Sequence, residues 1–299
     1  MKELLSDCTL CPRNCHKDRM KGELGYCRVS SDLMIARAAL HMWEEPCISG
    51  EQGSGTVFFS GCSLQCVYCQ NHQIACGEVG KIVSIERLSE IFLELQSKKA
   101  HNINLVTPTH YIPQIVKGIE MARTRGLTIP IVYNGSGYEK VSTLKLLDGL
   151  VQIYLPDFKY KDTRISYNYS LCKDYYEKSK LSLKEMVRQV GEPVFNEFGI
   201  MEKGVIVRHL LLPGCIVDSK EIIKYLYETY GDQIYISILS QFTPVKHQEK
   251  HKELNSAVTK EYYEELVDYA IDLGVENGFI QEGETAKESF IPEFNYEGV

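Results

Sequence analysis

Apolar positions recur in two rhythms along this chain, one helical and one strand-like, and the two alternate. Between Ser84 and Ala100 the residues Ile85, Leu88, Ile91, Phe92 and Leu95 fall on one helical face, and Ile112, Ile115, Val116 and Ile119 repeat that spacing over 112–123. Further helices are predicted over 140–147, near 182–190, over 219–230 and over 261–273. Between them lie short β-rich runs: GTVFFSGC (55–62), NINLVTP (102–108), LTIPIVYN (127–134), LVQIYLPDF (150–158), VIVRHLLLPG (205–214) and QIYISILSQF (233–242). The Tyr-rich stretch between 158 and 182 reads as irregular.

Six strands that are apolar almost throughout, each followed by a helix, describe an α/β protein with buried parallel strands and right-handed crossovers. Periodicity alone leaves two architectures open, a sheet partly closed into a barrel or an open doubly wound sheet. In both, reactive residues belong at the carboxyl ends of the strands, where Cys62, Thr107, Asn134, Asp157 and Gln241 stand. Residues 1–54 read as a cysteine-dense, turn-rich extension, 55–250 as the strand–helix core, and 251–299 as a helix and tail.

The 299 residues suit one large domain with an appendage, and 44% hydrophobic with 24% charged residues excludes a disordered or fibrous chain. A net charge of −7 without basic runs argues against a nucleic-acid partner. No window of 18 apolar residues appears, so no membrane span is expected. The first 30 residues, with charges and four cysteines, do not form a secretory signal. The expected location is therefore the cytoplasm, where the eleven cysteines stay reduced. Seven of them cluster, at 8, 11, 15 and 27 and at 62, 66 and 69; Cys47, Cys76, Cys172 and Cys215 read as small buried apolar residues.

Cys62-x3-Cys66-x2-Cys69 lies in the loop after the first core strand. Three thiolates so close in sequence converge only if the loop wraps around what they bind. Structural zinc wants four protein ligands, and nearby His72 would complete such a set. A 4Fe-4S cluster normally takes one cysteine per iron. Three cysteines leave one iron open, and an open position marks a catalytic metal.

This motif, its place after the first strand and the six-strand pattern resemble the radical S-adenosylmethionine superfamily. The stretches EEPCISGEQGSGTVFFSGC, NLVTPTHY, IVYNGSGYE, YLPDFKY, HLLLPG and GFIQE extend the likeness over nearly the whole chain, to proteins grouped with pyruvate formate-lyase activating enzyme. The resemblance implies a partial (βα)6 TIM-type barrel. It also implies a 4Fe-4S cluster on Cys62, Cys66 and Cys69, with S-adenosylmethionine on the open iron. The implied reaction is reductive cleavage to a 5′-deoxyadenosyl radical that abstracts hydrogen. An electron donor such as flavodoxin or ferredoxin would serve it, and a glycyl-radical protein is the implied substrate. Modification of another peptide or a small metabolite is the rival within the class. A non-catalytic iron–sulfur or zinc protein for electron transfer or assembly is the rival outside it.

The same resemblance implies roles for individual residues. Tyr68 would lie against the adenine. Asp157 and Lys159 match a D-x-K element near the methionine moiety, and at i and i+2 they share one strand face; a surface ion pair is the plain alternative. Asn134 and Ser136 resemble ribose or carboxylate contacts, although turn chemistry in NGSG also explains them. Where many members carry a GGE-type motif for the methionine amino group, this chain reads Val106-Thr107-Pro108-Thr109-His110, leaving the Thr107 and Thr109 hydroxyls or the backbone for that contact. Arg208, a charge inside an apolar strand, needs a partner, with cofactor carboxylate or substrate as candidates. Gln241 is either a cofactor contact or a structural amide.

Cys8-x2-Cys11-x3-Cys15-x11-Cys27 supplies four thiols, enough for tetrahedral zinc or for a saturated auxiliary 4Fe-4S cluster. Either metal would stabilise an extension without a large core of its own. His16, His41, His110 and His209 receive no ligand role.

Overall fold

A computed structural model describes residues 3–244, 247–281 and 292–299, so stretch 282–291 of the expected tail lies outside the described residues. The strands are β1 (Met34–His41), β2 (Ser54–Phe59), β3 (Lys81–Ile82), β4 (Ile103–Val106), β5 (Ile131–Gly135), β6 (Ile153–Pro156), β7 (Val194–Phe195), β8 (Met201–Leu210), β9 (Tyr235–Leu239) and β10 (Gly278–Ile280). They form one sheet in the order β10-β9-β8-β6-β5-β4-β2-β1-β3, with β7 attached to β8. Every pairing from β2 to β10 along this order is parallel. β1 runs antiparallel to both β2 and β3, and β7 antiparallel to β8. This is a mixed α/β fold with a mostly parallel central sheet, and the six core strands succeed one another in chain order.

Strand alternation sorts the side chains into two layers. On one face Ile131 and Tyr133 of β5, Tyr154 of β6, and Val205 and Val207 of β8 join the main core. Helices pack there through Leu88, Ile91, Phe92 and Leu95 (Ile85–Ser97), Ile115 and Ile119 (Ile112–Thr124), Met186 (Tyr175–Val190), Leu226 (Ile216–Tyr230) and Leu266 (Lys260–Leu273). Each such side chain contributes about 1.5–3 kcal/mol by leaving water. The opposite face carries a thinner layer of Val132, Ile153, Leu155, Met201 and Ile206, closed by Cys47 and Ile48. The long helices lie on one face, as successive right-handed crossovers between neighbouring strands produce.

Three elements depart from the sequence pattern. The helix expected over 140–147 is a single turn, Val141–Leu144, continued as a 3-10 turn. The Tyr-rich stretch holds a helix, Thr163–Ser170, capped by Asp162. The next helix begins at Tyr175, not near 182. Its first turns bury Tyr175, Ser179 and Ser182, and Ser182 Oγ donates to the carbonyls of Gly137 and Ser179. A buried face built from serine carries no apolar period. Among the described residues no helix is long and apolar enough to cross a membrane.

Candidate functional site

The thin apolar layer stops one turn of the pleat before the strands end, and polar residues continue it. Asn134 follows Val132, Asp157 follows Leu155 and Arg208 follows Ile206, each two positions on and therefore on the same face. They line a cavity of about 400 Å³ at the carboxyl ends of the strands, together with Cys62, Cys66, Tyr68, Cys69, Thr107, Ser136, Lys159 and Gln241. That volume is within the range of small-molecule sites.

At its floor lies a charged network. Asp157 and Arg208 form an isolated parallel bridge between backbones, and Asp157 Oδ1 accepts from Arg208 Nε at 3.1 Å. Lys159 Nζ donates to Asp157 Oδ2 at 2.6 Å. Arg208 Nη2 donates to Asn134 Oδ1 at 2.7 Å, and Asn134 Nδ2 to Glu44 Oε2 at 3.2 Å. Glu44 also pairs with Arg208 at 3.5 Å. Burial alone would raise the Asp157 pKa, but Lys159 and Arg208 outweigh it and hold the carboxyl below its ordinary value. Burial alone would lower Lys159 and Arg208, but their anionic neighbours together push both up, Asp157 foremost and, for Arg208, Glu44 and Glu45 as well. Glu44 is pushed up by burial against the pull of Arg208, and burial takes the neighbouring Glu45 to about 7.

The three cysteines of the loop after β2 open onto the same cavity. The loop is fixed by its own backbone: the Cys62 N–H donates to Cys27 O and the Cys69 N–H to Cys66 O. Behind it a hydroxyl chain runs from Tyr68 Oη to Tyr160 Oη (2.7 Å), to Ser170 Oγ (2.8 Å), and on to Cys66 Sγ at 3.0 Å. Burial pushes the Cys62 thiol up to about 11 and Cys69 higher still, so both need a bound cation to be held as thiolates. Among the described residues no three Cys, His, Asp or Glu side chains are close enough to hold a single ion. A soft, all-sulfur set of three donors on one loop, open to a cavity, fits a cluster with a free corner.

The remaining sequence candidates separate. Thr107 lines the cavity in a left-handed conformation (φ +58°), its N–H donating to Asn134 O. Thr109 does not reach the cavity. Its hydroxyl lies against Tyr133 Oη (2.8 Å) and Glu139 Oε1 (3.3 Å). Ser136 reaches the cavity, and its N–H donates to Glu139 Oε1. Gln241 Oε1 accepts from Gln281 Nε2 at 3.3 Å. Asp157 and Lys159 are about four-fifths buried, so the surface-pair alternative does not apply. The counter-charges of Arg208 are protein carboxylates. Cys8, Cys11, Cys15 and Cys27 stand outside the cavity lining, next to the Cys62 loop.

Sequence reasoning missed Glu44 and Glu45. The signal was present: two acids close an apolar run at MWEEPC, and an arginine inside a strand required an anion. It also missed Ser170 and Tyr160, which reach the cysteine loop through the stretch read as irregular.

The fold is that of an α/β protein with a mostly parallel sheet, and residues 48–171 match the family described as "4Fe-4S single cluster domain". The chain is 26% identical over 277 residues to an uncharacterised protein of Methanocaldococcus jannaschii, covering 90% of this chain and 75% of that one. Among solved structures it is similar in fold to HydG, a maturase of the [FeFe]-hydrogenase, with 13% identity, a TM-score of 0.52, and 77% of this chain and 52% of that one covered. Streptococcus suis SuiB bound to S-adenosylmethionine gives 13% identity and a TM-score of 0.49, over 75% of this chain and 49% of that one. The chain thus spans about half the length of these solved proteins.

Proposed function

We propose that this protein is a radical S-adenosylmethionine enzyme of the activating-enzyme-like kind, built on a partial (βα)6 barrel. The observation that carries the reading is that the Cys62, Cys66 and Cys69 thiols open onto the same cavity as the buried Asp157–Lys159–Arg208–Glu44 network. The consecutive order of the parallel strands and their one-sided helices support the barrel. When bound, a 4Fe-4S cluster supplies the electron that splits the sulfonium into methionine and a 5′-deoxyadenosyl radical.

The protein's own residues have separate tasks. Cys62, Cys66 and Cys69 would hold the cluster, and Ser170 donates a hydrogen bond to Cys66 that would temper its charge. Lys159 and Arg208, tied by Asp157, present fixed positive charge to an amino-acid carboxylate, while Glu44 and the carbonyls beyond β4 and β5 can accept from its ammonium. Thr107, Asn134 and Ser136 offer polar contacts to a ribose. Tyr68, pinned edge-on against Tyr160, Tyr169 and Phe242, offers a fixed ring to an adenine. A glycyl-radical protein is the substrate we assign from the sequence resemblance, and flavodoxin or ferredoxin the donor.

The test is anaerobic. Chain reconstituted with iron and sulfide, then given dithionite and S-adenosylmethionine, should release 5′-deoxyadenosine, and C66A should release none. An intact cluster that neither yields the nucleoside nor changes its EPR signal on adding S-adenosylmethionine would reject the reading in favour of a non-catalytic iron–sulfur protein.

A further inference from the structure

Arg19 is completely buried, yet among the described residues no carboxylate pairs with it. Its guanidinium donates to the carbonyls of His110 (2.7 Å), Ser30 (2.6 Å) and Val29 (3.3 Å), and Nη1 also reaches Cys8 Sγ at 3.8 Å. Carbonyl dipoles solvate a guanidinium but do not neutralise it, and a buried charge calls for an opposite one. The nearest group able to supply it is the thiol set.

That set is gathered around Gly25. A Cβ added there would sit 3.1 Å from Cys15 Sγ and 3.3 Å from Cys27 Sγ, so the glycine leaves room between two sulfurs. Four thiolates around a tetrahedral zinc ion or around an oxidised four-iron cluster carry the same net negative charge, so either group would answer Arg19. Of the two, only the cluster can also pass an electron to a neighbouring site.

The group also has a direction. Cys11 and Cys15 are partly buried, whereas Cys8 and Cys27 are buried. On its buried side the Cys27 carbonyl accepts from the N–H of Cys62, so one peptide hydrogen bond joins this group to the cavity loop. Arg13, inside the same motif, donates to the carbonyls of Ser63, Ser170 and Leu171, tying the group to that loop and to the end of the helix Thr163–Ser170.

We propose that Cys8, Cys11, Cys15 and Cys27 hold a second, fully ligated 4Fe-4S cluster that is the electron port to the cavity site. A low-potential one-electron donor protein gives up one electron at the Cys11–Cys15 side, the less buried of the two. The second cluster passes from 2+ to 1+ and returns to 2+ as the electron crosses the Cys27–Cys62 contact. No bond forms or breaks, and no proton moves. The port role rests on the function proposed above; the cluster itself does not.

The experiment uses the full-length C62A/C66A/C69A variant, purified and reconstituted without oxygen. Expected are about four irons and four sulfides per chain, no stoichiometric zinc, and an EPR signal from one cluster on reduction. One zinc per chain, or no iron, overturns the proposal. Should that variant fail to fold, the wild-type chain decides: about eight irons support the second cluster and about four reject it. In reduced wild type the signals of the two clusters should be broadened by mutual magnetic coupling. A spectrum that is the plain sum of two isolated clusters overturns the port. A cluster in the triple variant, alongside a wild type that makes no 5′-deoxyadenosine, would reject the proposed function and leave the second cluster standing.

Discussion

Asp157 and Arg208 are paired twice, once by backbone and once by side chain. They form an isolated bridge beyond the paired part of β6 and β8, and across it the Asp157 carboxylate and the Arg208 guanidinium meet at 3.0 Å. The register of two parallel strands therefore sets the position of the charge network, because both residues continue the inner face beyond Leu155 and Ile206. Removing the arginine would leave Asp157 and Glu44 sharing a buried site with Lys159 as their remaining cation. R208A should cost about 3 kcal/mol in urea unfolding at neutral pH, as loss of one partner of a buried pair does. R208K restores the charge without the fork and should recover only part of it. Equal stability of R208A and wild type would mean that the network is not strained by the loss.

Ser170 Oγ lies 3.0 Å from Cys66 Sγ and takes part in the chain to Tyr160 and Tyr68. A hydrogen bond to a ligating sulfur favours the more negative, reduced cluster. S170A should therefore lower the midpoint potential of the cavity cluster. A difference of about 1 kcal/mol in that bond corresponds to tens of millivolts for one electron. A redox titration followed by EPR checks it; an unchanged or raised potential would show that the hydroxyl does not act on the sulfur.

Much of this site was legible because its residues obey strand periodicity. Asn134, Asp157 and Arg208 end runs whose apolar alternation sets their face, and Cys62, Cys66 and Cys69 announce themselves by spacing. What stayed hidden depends on contacts far apart in sequence. Glu44 belongs with Arg208 only because β1 pairs antiparallel with β2 and brings the chain following it over the cavity. Ser170 was obscured because the helices from Thr163 and from Tyr175 bury serine and tyrosine, which carry no apolar rhythm. Thr109 reads like its neighbour Thr107, yet the 3-10 turn it begins aims its hydroxyl at Tyr133 and Glu139.

Gly61 stands at the seam between the two cysteine groups. Its φ is +91°, and a Cβ there would lie 2.8 Å from Cys27 O and 2.9 Å from Val29 Cγ2. G61A should thus suffer both backbone strain and a clash with atoms that cannot swing away, for a loss of about 2–4 kcal/mol. Gly149 is the control, since it has φ +76° and nothing within 4 Å of a built Cβ. G149A should lose only the conformational part, about 1 kcal/mol. Thermal unfolding of the two variants compares them, and equal losses would refute the crowding.

Glu139 gives the chain a pH dependence of definite sign. Its Oε1 accepts from the Ser136 N–H and the Thr109 hydroxyl, and burial pushes its pKa from an ordinary 4.5 up to about 7. The folded chain therefore holds this proton more tightly than the unfolded chain does. The stability it contributes is complete below about 4.5 and is lost as pH rises through 7. His209 titrates in the opposite sense: buried between Phe158 O and Ser219 Oγ, it is held down to about 4. Its contribution is present above the ordinary 6.5 and is lost as pH falls through 4. In wild type the two slopes oppose each other between pH 4.5 and 6.5, which flattens the profile there. E139Q removes one of them. Relative to wild type, the variant should gain on the order of 3 kcal/mol between pH 4.5 and 8, while its own profile falls more steeply toward acid. Urea unfolding at half-unit pH steps measures the difference directly. A difference that stays constant across that range would mean that Glu139 ionises in the folded chain as readily as in the unfolded one.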